Sequence, residues 1–324
     1  MHPLITIAVR AAREAGKVIM RDLDRLDALE VSAKGMNDFV SEVDQRAEQA
    51  IIATIRRSYP DHAVLGEEFG AQGTSEHVWV IDPLDGTTNY LHGFPVFSVS
   101  IAFKHRGRVE HGLVFDPLRN ELFTASRGAG AQLNNRRIRV TRRAGLEGAL
   151  LGTGFPYRNL GQLDAYLRVF RELLSRTAGV RRAGSAALDL SYVACGRLDG
   201  FWEIGLKEWD MAAGALLIQE AGGTVTDFGG GDGFLTSGNI VGGGLRVHAA
   251  MIEVLRHLGT PQDEPPATER EPANPPGEHA TETSVLSLRP KRGDSGPAST
   301  RAPARRATTV RKRPPPGRPP PVKP

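Results

Sequence analysis

Residues 79–93 read WVIDPLDGTTNYLHG. Val78, Trp79, Val80 and Ile81 are apolar and β-prone, so they predict a buried strand with Asp82 at its C-terminal end. Asp85 follows across Pro83, and Gly86-Thr87-Thr88 comes at once. Asp-Pro and Asp-Gly are ordinary turn pairs and Thr87 is an acceptable helix cap, so a plain turn is one reading. The other reading is chemical. Two carboxylates at the end of a buried strand are costly unless a cation compensates them. Mg2+ takes oxygen ligands and few protein carboxylates, drawing the rest of its shell from water and phosphate. Pro83 would fix the turn, the Leu84 carbonyl would point at the same ion, and Asp85 would reach a neighbouring one. A helix beginning at Gly86 would turn free N–H groups toward that place, which suits a phosphate.

Three remote segments bear on the choice. LGEEFG puts Glu67 and Glu68 after another β-prone run, and since strand neighbours face opposite ways, only one of them can face the site. In KEWDMAAGALLIQEAGG, Asp210 opens an apolar helix that Gly222 and Gly223 end. An acid in a first turn usually serves the helix dipole, but Trp209 and Met211 beside it predict partial burial and a partner. In NDFVSEVDQRAE, Ser41 and Asp44 have the spacing of a capping box, which alone accounts for Asp44.

Outward from these segments the chain alternates helix and strand patterns. Leu4, Ile7, Ala11, Ala15 and Val18 recur at helical spacing, as do Ala47, Ile51, Ile52 and Ile55. Strand-like runs follow at 63–66, 78–81, 96–103, 108–115 and 121–125. A second half begins near Ala149, with strands at ALLGTG, DGFWEI, GTVTDF and NIVGGG and helices near 162–175, 185–195, from Trp209, and at 246–258. The expected architecture is a layered α/β (α+β) sandwich of helix layers and mostly antiparallel sheets, in halves 1–148 and 149–259 with a tail at 260–324.

Composition narrows the chemistry. The lone cysteine, Cys195, excludes an intrachain disulfide and a Cys-based metal site, and the nine histidines show no paired ligand spacing. Any metal is then a hard ion held by oxygen. No apolar run is long enough to span a bilayer and no cleavable signal is visible, so a cytoplasmic protein without membrane contact is expected. Residues 260–324 hold twelve of the 41 Lys/Arg and seven of the 37 Asp/Glu, about +5, leaving residues 1–259 near −1. That tail also carries 16 of the 22 prolines and no aromatic residue, a composition that cannot offset its ordering entropy. Its basic end, 289–324, is either a solvated extension or an arm for RNA or another acidic surface.

Taken together, GEE, WVIDPLDGTTN and WDMAAG, in this order and separation, resemble the inositol monophosphatase family of lithium-sensitive, Mg2+-dependent phosphatases, in particular its bacterial branch. MHPLITIAVRAAREAG, KGMNDFVSEVD, GTGFPY and RRAGSAALDLSYVACGRLDGFWEIGL extend the likeness over about residues 1–258. It implies a first Mg2+ on Glu67, Asp82 and the Leu84 carbonyl, a second on Asp82, Asp85 and Asp210, and a third, weaker ion leaning on Glu67. It implies phosphate on the Gly86 and Thr87 N–H groups, with Thr87 and Asp44 orienting or deprotonating the attacking water. Asp85, Ala186, Glu203 and Asp210 would contact sugar-like hydroxyls, with Gly184 and Ser185 shaping that wall. Lys34 lies in a segment resembling a mobile loop over the metals. The implied substrate is inositol 1-phosphate or a similar small polyol phosphate, with histidinol phosphate, fructose 1,6-bisphosphate and a 3′-phosphoadenosine nucleotide as rivals. The resemblance further implies a homodimer and, as an alternative role, contact with RNA polymerase and Nus factors in ribosomal RNA transcription antitermination. Cys195, Phe201 and Trp202 read as core, and Arg181-Arg182 as a surface charge pair or a phosphate contact.

Overall fold

The computed structural model describes residues 2–28, 31–35, 38–157 and 160–256; the side chains of residues 24, 27, 28, 31–35 and 38–40 fall outside that description. The tail, read as either a solvated extension or an arm for RNA or another acidic surface, lies outside the described residues. Helices α1 (Pro3–Asp22) and α2 (Glu42–Arg56) flank a hairpin of β1 (Val31–Gly35) and β2 (Asp38–Ser41). Next come β3 (Ala63–Gly66), β4 (Gly70–Gln72), β5 (His77–Asp85), the short helix α3 (Thr87–Leu91), β6 (Ser98–His105) and β7 (Arg108–Asp116). Strands β8 (Glu121–Ser126), β9 (Gly130–Leu133) and β10 (Arg136–Arg137) complete an eight-stranded sheet of order β10-β9-β8-β7-β6-β5-β3-β4. Only its β3–β5 pair is parallel.

The second half runs β11 (Leu150–Thr153), α4 (Leu163–Arg176), β12 (Gly179–Arg181), α5 (Ala186–Ala194), β13 (Gly200–Glu203) and α6 (Glu208–Glu220). It closes with β14 (Thr224–Thr226), α7 (Phe234–Ser237), β15 (Ile240–Gly243) and α8 (Leu245–Leu255). Its five-stranded sheet has the order β12-β11-β13-β15-β14. Most strand pairs are antiparallel, as expected, but in this sheet β11 is parallel to both β12 and β13. The cause is connectivity: α4 and α5 serve as crossovers, and a helical crossover returns the chain in the same direction.

Five layers result, helix–sheet–helix–sheet–helix. α1 and α2 bury Ala11, Ile19, Ile51 and Ile55 against Trp79, Ile81 and Leu113 of the large sheet. α5 and α6 fill the middle, where Leu190, Met211 and Leu217 meet Val80, Val114 and Phe123 from one sheet and Phe201 from the other. α4 and α8 cover the outer face of the small sheet with Tyr166, Val247 and Met251 on Leu151 and Trp202. Consecutive strand residues thus enter opposite layers, Val80 inward and Trp79 and Ile81 outward, which is why VWVI is apolar without alternation. α6 is apolar nearly all round for the same reason: it has sheet on one side and helix on the other, with no face for water. The layers touch closely at Gly112, where an added Cβ would lie 2.9 Å from the Ala213 carbonyl oxygen.

On the interior strands β5, β6 and β7 of the large sheet lie stacked imidazoles. His77 and His105 are cross-strand partners with ring centres 4.7 Å apart, His62 stacks on His77 at 4.8 Å, and His2 on His111 at 4.3 Å. The Trp79 indole N–H donates to His62 Nδ1 at 3.1 Å. Among the described residues no helix is long and apolar enough to cross a membrane.

Candidate active site

Strand β5 does not end at Asp82. It continues to Asp85, pairing Asp82 with Ser100 and Asp85 with Ser98 on either side of a bulge. The expected proline turn is therefore a break in ladder register inside a continuing strand, at the residue that has no N–H to give. Leu84 N–H donates to Asp82 Oδ1 at 3.0 Å, and both residues are buried. Gly86, not Thr87, occupies the cap of α3 and adopts φ +95°. A Cβ there would stand 2.9 Å from the Val96 carbonyl oxygen and 3.1 Å from that of Gly184.

Two serines of β6 set the other walls. Ser98 and Ser100 are two apart, so both face the middle helix layer. Ser100 Oγ donates to the Trp209 carbonyl at 3.1 Å, and Lys104 pairs with Glu208, which seats the start of α6 on β6. Asp210 follows there, with one oxygen accepting the Lys207 N–H at 2.7 Å. Ser98 Oγ lies 3.3 Å from Ser185 Oγ, and Ser185 Oγ donates to Asp85 Oδ2 at 2.5 Å. The Ala187 N–H adds a second bond to the same oxygen at 2.8 Å, so Asp85 fastens β5 to the first turn of α5. Alternate serines in an apolar strand were the sequence signal for this junction.

The result is a cavity of about 460 Å3 lined by Glu67, Asp82, Asp85 and Asp210. Leu84, Gly86 and Thr87 also line it, as do Gly184, Ser185, Ala186 and Glu203. Gly154 makes room for Glu203, since a Cβ at that position would overlap the carboxylate at 1.8 Å. Asp44 stands behind this surface. Its Oδ2 accepts the Ser41 N–H and Oγ at 2.9 and 2.5 Å, and its Oδ1 accepts the Thr87 hydroxyl at 2.9 Å. Capping box and site contact are thus the same residue in two roles. Lys34 lies on β1, and its side chain is outside the described residues.

Of the acidic pair, Glu67 lines the cavity, whereas the Glu68 N–H donates to Glu48 Oε2 at 2.8 Å. Glu48, fully buried, also accepts the Phe69 N–H at 3.2 Å and so pins the Glu67 loop. Burial pushes its carboxyl up to about 7. Arg181 and Arg182 are both exposed but separate in role: Arg182 lines the cavity and lies over the Phe155 and Tyr157 rings, 5.7 Å from each centre. Glu48 and Asp189, a buried cavity-lining acid on α5, carried no local motif that would have singled them out. The half-buried Cys195 has its thiol pushed up by burial, as expected of an unreactive core sulfur.

The electrostatics follow from this crowding. Burial, then repulsion from Glu67, Asp85 and Asp210, holds the Asp82 carboxyl well above the usual carboxylate range. Burial likewise raises Glu203, opposed by the Arg182 charge. Burial brings Asp44 to about 6 against its hydrogen bonds from Ser41 and Thr87. Among the described residues no three carboxylate, imidazole or thiol groups are gathered closely enough to hold a metal ion as they stand. The donor set nevertheless fits a hard divalent cation: four carboxylates share one cavity, and their mutual repulsion is what such an ion relieves.

Residues 1–259 match the model of the inositol monophosphatase family. The chain belongs to that family. Within it, the chain is 57% identical over 265 residues to the Nus factor SuhB of Pseudomonas aeruginosa, spanning 80% of this chain and 98% of that protein. The crystal structure of the extragenic suppressor protein SuhB from Bartonella henselae superposes with a TM-score of 0.76 at 43% identity, covering 80% of this chain and all of that one (100%). An inositol monophosphatase II of Staphylococcus aureus with inositol monophosphate bound gives a TM-score of 0.65 at 28% identity, covering 78% of this chain and 93% of that one. The layered fold and the phosphatase family are thereby established together.

Proposed function

We propose that the chain is a Mg2+-dependent phosphomonoesterase that hydrolyses inositol 1-phosphate, or a similar small polyol phosphate, to the polyol and phosphate. The observation that carries this reading is the convergence of Glu67, Asp82, Asp85 and Asp210, from three separate parts of the chain, on one cavity beside Gly86 and Thr87. These carboxylates, with the Leu84 carbonyl, would hold two to three Mg2+ ions. When bound, the ions supply a nucleophilic water near neutral pH and neutralise charge on the phosphoryl oxygens. The chain's own residues do the rest. The Gly86 and Thr87 N–H groups would donate to the phosphate oxygens. The Thr87 hydroxyl lies between Asp44 Oδ1 at 2.9 Å and the Leu84 carbonyl at 3.0 Å, where it can orient a water and hand a proton to Asp44. Glu203, Ser185 and Ala186 form the wall for sugar-like hydroxyls, and the S. aureus enzyme with inositol monophosphate bound supports that substrate class.

Phosphate release from inositol 1-phosphate with Mg2+, measured for the wild type and Asp85→Asn, tests this. The variant is expected to lose at least ~100-fold in kcat/KM; equal rates would sink the mechanism.

A second reading is favoured by the names of relatives such as the P. aeruginosa Nus factor SuhB. On it, the chain also contacts the transcription machinery. Retention on immobilised RNA polymerase and Nus factors, with and without residues 260–324, is the check. Failure of both forms to be retained removes this reading and leaves the enzyme untouched.

A further inference from the structure

α5 is an apolar helix in a buried layer. Its residues Ala186, Ala187, Leu188, Leu190 and Val193 are all buried. Asp189 breaks the pattern. It is 2% exposed, yet it lines the catalytic cavity. Among the described residues its carboxyl makes no hydrogen bond. It stands one helical turn after Ser185, so the two share a face of α5. With no protein partner, its carboxyl is open only to whatever fills the cavity, and a buried acid so placed calls for an explanation.

The metal cluster does not supply one. Asp189 is not one of the four acids assigned to the cation, and the charges that reach it are those of Asp85 and Arg182. Nor does a capping role, since Ser185 caps α5 by accepting the Leu188 N–H at 3.4 Å. Asp189 instead shares its surroundings with Glu203 and Arg182, on the part of the cavity assigned above to the organic half of the substrate. We propose that Asp189 is a specificity-determining residue, whose carboxyl hydrogen-bonds a hydroxyl of the polyol that bears the phosphate. A carboxyl oxygen accepts the O–H of a polyol hydroxyl, whereas a phosphate oxygen offers it no donor. The partner missing in the protein is then provided by the substrate, and a substrate lacking the hydroxyl leaves the acid unpaired.

The inference rests on the polyol-phosphatase reading, and its test separates the two. Asp189→Asn and Asp189→Leu are compared with wild type on inositol 1-phosphate and on p-nitrophenyl phosphate, and by calorimetric titration of inositol 1-phosphate with Mg2+. Leu is expected to raise KM and Kd for inositol 1-phosphate by ~10-fold or more, with p-nitrophenyl phosphate kinetics within about twofold. Asn, a neutral donor and acceptor, is expected to stay within about threefold of wild type. Equal loss on both substrates, or an unchanged Kd in the Leu variant, overturns the proposal. If Leu fails to fold, Asp189→Ala takes its place with the same criteria. Wild type that binds inositol 1-phosphate without hydrolysing either ester would refute the phosphatase reading while leaving the binding contrast to decide on Asp189. Wild type that neither binds nor hydrolyses refutes both.

Discussion

Gly86 joins the strand that carries two acids to the turn that faces them. Its φ of +95° and the two carbonyl oxygens crowding its α-carbon leave no place for a side chain. Gly86→Ala is expected to lose ~1–3 kcal/mol of stability and at least ~100-fold in kcat/KM, because displacing Thr87 from Asp44 misplaces the reacting groups. Denaturant melts and phosphate release check the two parts, and wild-type kinetics would show that the turn tolerates movement. At this scale the sequence was most informative where chemistry is unusual. Acids next to buried strand and helix residues stand out, so Asp82, Asp85 and Asp210 were legible. Arg182 was legible only as one of two readings, and Glu48 and Asp189 not at all, because their environment is made by residues tens of positions away: Glu48 by the N–H groups of Glu68 and Phe69, and Arg182 by Phe155 and Tyr157.

Among the elements, the apolar run WVI and the helical spacing of α1 and α2 were readable because packing on both sides leaves a strong pattern. What was missed depends on pairing. The bulge at Pro83 looks like a turn until β6 is seen on both sides of it, and the parallel run of β12-β11-β13 follows from crossovers that local patterns do not show. Close layer contact is equally silent in sequence. Gly112→Val would drive a branched side chain into the α6 backbone at Ala213. The expected cost is about 2–4 kcal/mol, and a calorimetric scan should show a fall of roughly 5–15 °C. An unchanged Tm would mean that α6 shifts freely, contrary to its anchoring at Ser100 and Lys104.

For the molecule as a whole, the imidazole stacks link stability to pH. Burial, then the neighbouring His2, lowers His111 to about 4, and burial also lowers His62. A histidine depressed in the folded state contributes stability above its unfolded value of about 6.5, and that contribution is lost as pH falls toward 4. With a discount for its solvent-facing side, His111 accounts for about 1–2 kcal/mol, or roughly 3–6 °C between pH 7 and pH 4.5. His111→Phe should therefore flatten the acid limb of a Tm-versus-pH curve by that amount. A curve parallel to wild type would remove the linkage. A different consequence follows from the central helices. α5 and α6 give their side chains to both sheets at once, and Asp85, Ser98 and Ser185 tie the same junction. The two halves of the chain therefore cannot come apart in sequence, since separating either one strips the other of its inner face. Unfolding is expected to be all-or-none across the two sheets, with limited proteolysis cutting the middle layer only in chains that have lost the whole structure.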